Sequence, residues 1–195
     1  TGTATFLEIG TAVGTVTLSP DGRANTTLTF NTTGTRTITV QYSGDVTNTS
    51  ASFDTPITVN PKANATVAWR QFFGPPASVI VGQSFDVQAQ VTGVNPTGTA
   101  TFLDGTTPLT TVTLFPDGRA ATTLTLNTAG SRNIVVQYSG DVSNNAASFS
   151  TPITVNPKTV SSIAWRPGFG PSASIVVGQS VSVQAQVTGA SPSGI

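Results

Sequence analysis

The chain repeats itself at a fixed spacing of 96 residues, and this spacing limits the folds that are open to it. The heptapeptide at residues 40–46, VQYSGDV, occurs again letter for letter at residues 136–142. The same spacing carries Trp69 onto Trp165. A self-similar period of this length corresponds to one small domain, since domains usually have about 50–200 residues. We therefore expect tandem domains rather than one fold that spans all 195 residues.

Apolar and polar residues alternate along the repeat with a period of two. The clearest run is residues 84–91, in which Phe85, Val87, Ala89 and Val91 point one way. This alternation is typical of a half-buried strand. Turn signals such as Asp104-Gly105 follow about every 8–12 residues, as in an antiparallel sandwich. The sequence thus predicts an all-β chain of tandem antiparallel β-sandwiches, with about seven strands in each 96-residue repeat.

The repeat also predicts where the units begin and end. Residues 62–157 form a complete unit. Residues 1–61 match 98–157 and supply the later strands of one unit, whereas residues 158–195 match 62–99 and supply the first strands of another. Residue 1 lies within a repeat, as expected of a fragment or a processed product. Because the two partial segments add up to one unit, residues 158–195 are predicted to be able to complete residues 1–61 of a neighbouring copy.

The composition argues against several classes of partner. Charged residues are only 8% of the chain, and eight Lys and Arg balance eight Asp and Glu. A neutral surface does not attract nucleic acid or anionic lipid, and it favours self-association. No run approaches the roughly 18 apolar residues of a membrane span. We expect no nucleic-acid partner and no membrane insertion.

Each period ends in a long shared motif. Tyr-x-Gly-Asp, a Ser/Asn-rich loop and Ser-Phe-x-Thr-Pro-Ile-Thr-Val occupy residues 42–59 and again residues 138–155. This pattern resembles the bacterial Ig-like domain repeats of large surface and secreted proteins. The resemblance implies an Ig-like sandwich that serves as a stalk, spacer, adhesin or fibre, outside the cell and on its surface. The antibody-type cysteine pair is absent, because the chain has no Cys.

The loop after the shared heptapeptide holds the candidate metal ligands. Oxygen-bearing side chains alternate from Asp141 to Asn145, as in a calcium loop, and Asp45 begins the other copy. Neither loop has the Gly and the downstream Glu of a calcium loop, so we expect no metal and an aspartate that caps its own turn. Tyr42 and Tyr138 could stack on a sugar. The alternation instead points them inward, where each is expected to tie a loop to the sheet.

Aromatic residues cluster beside the Pro-Gly breaker that follows the first strand. They are Trp69, Phe72 and Phe73 in one copy, and Trp165 and Phe169 in the other. They could form an exposed platform. We expect them instead to pack between consecutive units or between chains, since exposed aromatic patches usually mark interfaces.

Little in the sequence supports catalysis. The chain has no His and no Cys, and its acids are scattered, so no base or acid pair can be assembled. The only lysines, Lys62 and Lys158, suggest a self-made isopeptide bond, which needs a buried acid. Asp86 is the nearest candidate acid, yet its equivalent is Ser182. We expect no enzyme activity and no cofactor.

The function expected from the sequence is structural. Near-identical repeats joined by a short Pro-containing linker favour an extracellular stalk or filament whose partners are other copies or adjacent repeats, end to end. The array is either covalent, within one long chain, or made by strand complementation between chains. The alternative is an adhesin or a glycan-binding module that contacts a host or glycan surface, and an accessory module of a secreted enzyme also stays open.

Overall fold

The computed structural model describes residues 2–190, and in this part of the chain all regular structure is β. The strands are β1 (Thr3–Glu8), β2 (Thr11–Thr17), β3 (Gly34–Tyr42), β4 (Ala51–Val59), β5 (Thr66–Trp69), β6 (Ser78–Ile80), β7 (Ser84–Thr92), β8 (Thr99–Asp104), β9 (Thr107–Thr113), β10 (Arg119–Thr125), β11 (Gly130–Tyr138), β12 (Ala147–Asn156), β13 (Ser162–Trp165) and β14 (Ala185–Thr188). The prediction of an all-β chain is therefore confirmed. No helix in the described residues is long and apolar enough to cross a bilayer. The chain divides after Lys62 into two compact units.

Strands β5 to β12 form a sandwich of two sheets, which we call the complete repeat. One sheet has the strand order β10-β7-β5 and the other has the order β6-β12-β11-β8-β9. All neighbours are antiparallel except β6, which runs parallel to β12. β5 and β6 follow each other in the chain but belong to different sheets. The breaker Gly74-Pro75-Pro76 lies between them, where the chain crosses from one sheet to the other. Prolines suit such a crossing because they cannot donate to a ladder of strand hydrogen bonds.

The core lies between these two sheets and is built from the residues that the alternation points inward. Its buried members are Val67, Val79, Val87, Ala89, Val91, Ala100, Phe102, Leu114, Ala120, Leu124, Leu126, Ile134, Val136, Tyr138, Ile153 and Val155. Phe149 alternates in step with the buried Ile153 and Val155, yet it is 37% exposed. The reason is that β6 covers β12 only at Thr154–Asn156, so the earlier part of β12 lies at an open edge.

Residues 2–61 form one sheet of the order β2-β1-β3-β4. Its registers repeat those of the complete unit, from Ala4 opposite Tyr42 to the irregularity between Phe6 and Leu7. Residues 23–30 form no strand, whereas the equivalent residues in the complete repeat form β10. The physical reason is that β10 is hydrogen-bonded only to β7, and residues 2–61 contain no counterpart of β7.

Residues 158–190 contribute the antiparallel pair β13–β14. Ser162 lies opposite Thr188 and Trp165 opposite Ala185, which is the register of β5 on β7 moved by one period. The apolar face of this pair is uncovered, and Ile163 is 71% exposed. The final residues of the repeat match, 191–195, lie outside the described residues.

Candidate functional site

Tyr138 and Asp141 form the centre of a polar cluster at one end of the complete sandwich. The Tyr138 ring is buried at the end of β11, and its hydroxyl donates to Asp141 Oδ2 at 2.9 Å. The same carboxylate oxygen accepts the backbone N–H of Thr97 at 2.8 Å. Asp141 Oδ1 accepts the backbone N–H groups of Ser143 and Asn144, both at 2.7 Å, so the aspartate caps its own turn.

The cluster shifts the proton affinity of both partners. The pKa of Asp141 lies well below its ordinary value, chiefly because the Thr97 backbone N–H donates to the carboxylate, with further donors in Asn144, Ser143 and Tyr138. Burial raises the pKa of Tyr138 to about 12, and the nearby Asp141 carboxylate adds to this shift. Over a wide pH range, Asp141 therefore stays a charged carboxylate and Tyr138 stays a neutral phenol.

Asn144 is the cluster's third member, and the sequence alone did not single it out. It is fully buried, its Oδ1 accepts the Val94 N–H at 2.8 Å, and its Nδ2 donates to the Val94 carbonyl at 2.9 Å. Gly93 allows this approach, since a Cβ there would lie 2.3 Å from Asn144 Oδ1. A sequence signal was nonetheless present. The asparagine recurs one period earlier as Asn48, and the glycine that it approaches, Gly93, recurs one period later as Gly189.

Asp45 holds the corresponding loop of the first unit. Its Oδ1 accepts the backbone N–H groups of Thr47 and Asn48, both at 2.9 Å. Tyr42 is only partly buried and Asn48 is exposed, unlike their counterparts Tyr138 and Asn144. No group of three His, Cys, Asp or Glu able to hold a metal occurs within residues 2–190.

Trp69 packs inside its own repeat, and not between units as we expected. Its ring stacks on Phe102 with centroids 6.2 Å apart and meets Phe149 edge-on at 6.3 Å. Its indole N–H donates to Thr151 Oγ1 at 2.6 Å. The position follows from the sandwich, because β5 faces the sheet that holds β8 and β12.

The remaining aromatic candidates lie at the surface. Phe72 is 91% exposed and has a φ of 67°, and Phe73 is partly exposed. Trp165 is 53% exposed, and the Arg166 guanidinium lies 5.1 Å from the Phe169 ring centre. Asp86, considered for an isopeptide, is exposed and accepts a hydrogen bond from Thr123 Oγ1 at 2.5 Å.

One concave feature is a groove on residues 2–61, which we call the open face. It encloses about 680 Å³ and is lined by Ala4, Phe6, Leu18, Gly22, Ala24, Val40, Tyr42, Asn48 and Thr49. One period later, Ala100, Phe102, Ala120 and Val136 are fully buried. In the complete repeat this surface is covered by the sheet of β5 and β7.

Comparison with solved structures finds distant likenesses. Fibronectin(III)-like modules of Clostridium thermocellum CbhA are 16% identical, with a TM-score of 0.44, over 80% of this chain and 78% of theirs. A 1.5-MDa bacterial ice-binding adhesin is 11% identical, with a TM-score of 0.40, over 84% of this chain and 56% of that chain. The Bacteroides ovatus protein SGBP-B, in complex with a mixed-linkage heptasaccharide, is 18% identical, with a TM-score of 0.25. The match covers 99% of this chain and 53% of that chain. No curated protein sequence matches the chain.

A family model gives the more direct assignment. The model of the bacterial Ig-like domain (group 3) matches residues 1–60 and 74–156. The two matched segments hold both copies of the Tyr-x-Gly-Asp motif and the strands that follow it. By fold and by sequence, the chain belongs to the bacterial Ig-like domain (group 3) family.

Proposed function

We propose that the chain is a structural repeat of an extracellular stalk or filament, in which β-sandwiches follow one another end to end. One observation carries the proposal: the complete repeat begins and finishes at opposite ends of β12. The chain enters the repeat at Ala63, which lies beside Asn144 and whose N–H donates to the Ser143 carbonyl at 2.8 Å. It leaves the repeat at Asn156, the last residue of β12. The roughly 12 residue steps from Asn144 to Asn156 span about 40 Å at about 3.3 Å per step. Each added repeat thus adds length.

The first and last strands are also placed to resist a pull along this axis. β6 runs parallel to β12, with Thr154 N–H donating to the Ala77 carbonyl and Val81 N–H to the Asn156 carbonyl, at 3.0 and 2.9 Å. A force applied at Ala63 and Asn156 slides these strands past each other. The bonds between them lie across the direction of sliding, so they are loaded together rather than one at a time. This arrangement suits a load-bearing role rather than an enzymatic one.

The setting proposed is the cell surface, which the resemblance of the repeats implies, with adjacent repeats or other copies as partners. The array forms either within one chain or between chains.

The test is the length of chains that carry one, two or three copies of residues 62–157. Small-angle X-ray scattering should show the maximum dimension rising by about 40 Å for each added copy. A maximum dimension that grows only as the cube root of the mass would show that the units pack into a globule, and would overturn the proposal.

A second candidate function is adhesion to a glycan or host surface, and Phe72 is the observation that favours it. Strained, exposed residues gather at binding sites more often than elsewhere. Phe72 has both properties, while its equivalent in the other copy is Gly168. Binding on a glycan array that is lost in Phe72→Gly would support this function; equal signals from both proteins at the level of a blank surface would exclude a role of Phe72 in it.

A further inference from the structure

We propose that the outer face of β7, the side that points away from the core, binds an extended and uncharged oligosaccharide. Phe72 stacks on a sugar ring, while Gln88 and Asp86 form hydrogen bonds with the sugar hydroxyls. The inference rests on the second candidate function and deepens it, since it names the class of ligand and the residues that hold it besides Phe72.

The turn at residues 70–73 departs from the ideal sequence for its type. Its last N–H donates to its first carbonyl at 2.9 Å, and its third residue, Phe72, has a φ of 67°, as in a type II turn. Such turns favour proline at the second position and glycine at the third. The equivalent turn one period later has both, as Pro167 and Gly168. The complete repeat has neither.

Both departures lower stability, and packing does not offset them. A bulky side chain at a positive φ strains the backbone, and the lack of a compatible proline raises the entropy of the unfolded chain. The Phe72 ring recovers little of this, because it is 91% exposed. An exposed ring on a strained backbone is expected where the ring serves binding rather than folding.

Hydrogen bonds fasten this turn to Gln88 in the middle of β7. The Arg70 N–H donates to the Gln88 carbonyl at 2.8 Å, and the Gln88 N–H donates to the Phe73 carbonyl at 2.9 Å. Phe72 therefore lies at the border of the outer face. The Gln88 side chain points onto that face, since both of its neighbours in the strand are fully buried.

The outer face of β7 presents polar groups that can pair with hydroxyls. Gln88 Oε1 accepts a hydrogen bond from Arg70 Nη1 at 3.5 Å, and Asp86 Oδ1 accepts one from Thr123 Oγ1 at 2.5 Å. Within residues 2–190, the Gln88 amide nitrogen and Asp86 Oδ2 have no hydrogen-bond partner, which leaves a donor and an acceptor for a ligand. The two side chains lie two positions apart in the strand, which is about 6.6 Å.

A sugar chain fits this combination of groups. One face of a pyranose ring carries only C–H groups and can stack on an aromatic ring, while the hydroxyls pair with planar amide and carboxylate groups. The opposite charges of Arg70 and Asp86 balance, which favours an uncharged ligand. A ligand that reaches from the Phe72 ring past Gln88 to Asp86 must be extended, so several linked sugars fit better than one.

The equivalent face one period later lacks both ends of this site. Gly168 stands in place of Phe72, and Ser182 stands in place of Asp86. The contact between the arginine and the glutamine is kept there, at 2.9 Å. The fold therefore does not need the ring or the carboxylate, and the two residues set the complete repeat apart on this one face.

The experiment is affinity electrophoresis of the intact chain in native gels that contain a neutral polysaccharide. The probes are a β-glucan, a xyloglucan, a galactomannan and starch, and we expect at least one of them to retard the parent chain. Phe72→Gly and Asp86→Ser install the residues found one period later. Each should weaken binding by about tenfold or more. Lost binding in Phe72→Gly would not come from lost folding, because the glycine removes backbone strain.

Two variants are matched controls. Phe72→Tyr keeps an aromatic ring at the same place, and Asp54→Ser removes an exposed carboxylate outside the site. Both should be retarded like the parent chain. A parent chain that no neutral polysaccharide retards would overturn the proposal, and so would equal retardation of the parent and Asp86→Ser.

These outcomes can be told apart from failure of the adhesion function itself. If the glycan array shows binding only to charged glycans, and Phe72→Gly loses it, adhesion through Phe72 survives and the uncharged ligand is refuted. If Phe72→Gly loses binding to a neutral polysaccharide while Asp86→Ser keeps it, adhesion again survives and the site along β7 is refuted. If both variants bind as the parent does, both inferences fail.

Discussion

The hydroxyl of Tyr138 donates to Asp141 Oδ2 at 2.9 Å, which joins the end of a buried strand to the loop that follows it. Both groups favour the forms present near neutral pH. The carboxylate is charged and has a lowered pKa, while the phenol is neutral with its pKa raised to about 12. Protonation of Asp141 by acid or deprotonation of Tyr138 by alkali therefore removes stability.

We expect stability to be lost on both sides of neutral pH, for different reasons. Above the ordinary tyrosine pKa of about 10 the unfolded chain loses a proton that folded Tyr138 keeps up to about 12, so stability falls as pH rises through this range. Below about pH 4 the unfolded chain gains a proton at Asp141 that the folded chain resists, so stability falls as the pH drops. Urea unfolding at pH 3 to 12 measures the loss of stability at both the acid and the alkaline end.

Tyr138→Phe separates the alkaline loss of stability from the acid loss. It should remove most of the alkaline loss at this site and leave the acid loss in place, because the Thr97 N–H still donates to Asp141. If the variant loses as much stability at alkaline pH as the parent chain, groups other than Tyr138 cause this loss.

Asn144→Ala should destabilise the complete repeat by about 2–4 kcal/mol. The change removes the hydrogen bonds that the fully buried Asn144 side chain makes to both polar backbone groups of Val94 and to Asp141, and each such bond contributes about 0.5–1.5 kcal/mol. Asn48→Ala, in the equivalent loop, is the matched control. Because Asn48 is exposed, its replacement should cost less than about 1 kcal/mol. Chemical unfolding followed by near-ultraviolet circular dichroism measures both.

Phe72→Gly should stabilise the chain by about 1 kcal/mol. Phe72 has a φ of 67°, which strains a bulky side chain by about 1–3 kcal/mol, and its exposed ring gains little from packing. The equivalent Gly168 adopts a φ of 82°. Gly168→Phe should have the opposite effect at its own site. A loss of stability in Phe72→Gly, seen by differential scanning calorimetry, would show that the ring makes a contact that offsets the strain.

Val81→Pro should weaken the complete repeat against a stretching force. Proline removes the N–H that donates to the Asn156 carbonyl, one of the bonds between the first and last strands. The loss of one hydrogen bond of about 1 kcal/mol speeds unfolding by about fivefold at a given force, measured by single-molecule pulling. Gln71→Pro is the control, because proline already occupies the equivalent position 167. Equal unfolding forces for the parent and Val81→Pro would mean that the load passes elsewhere.

The sequence predicted the strands well because alternation reports burial directly. Val87, Ala89 and Val91 were placed inside and are buried. The change of sheets between β5 and β6 was not predicted, since a Pro-Gly breaker shows where a strand bends and not which neighbour it joins next. The absence of a strand at residues 23–30 follows from a missing partner, which a local pattern cannot register.

The candidate site was harder to predict than the fold. Tyr138 and Asp141 stood out because their heptapeptide recurs, but burial of Asn144 depends on a loop 50 residues away in the chain. The positive φ of Phe72 was not predicted, because phenylalanine rarely adopts it; the glycine at the equivalent position 168 was the signal that could have revealed it. Trp69 was expected at a junction because it lies near a unit boundary. It packs inside its repeat because its strand faces the opposite sheet.

The different surroundings of the two tryptophans give the molecule an internal fluorescent reporter. Trp69 is held against Phe102 and hydrogen-bonded to Thr151, so its emission is a constant reference. Trp165 faces water, and its emission moves to shorter wavelength whenever an apolar surface covers it. With Trp69→Phe, one indole remains, and its emission wavelength reports whether Trp165 is exposed to water or covered.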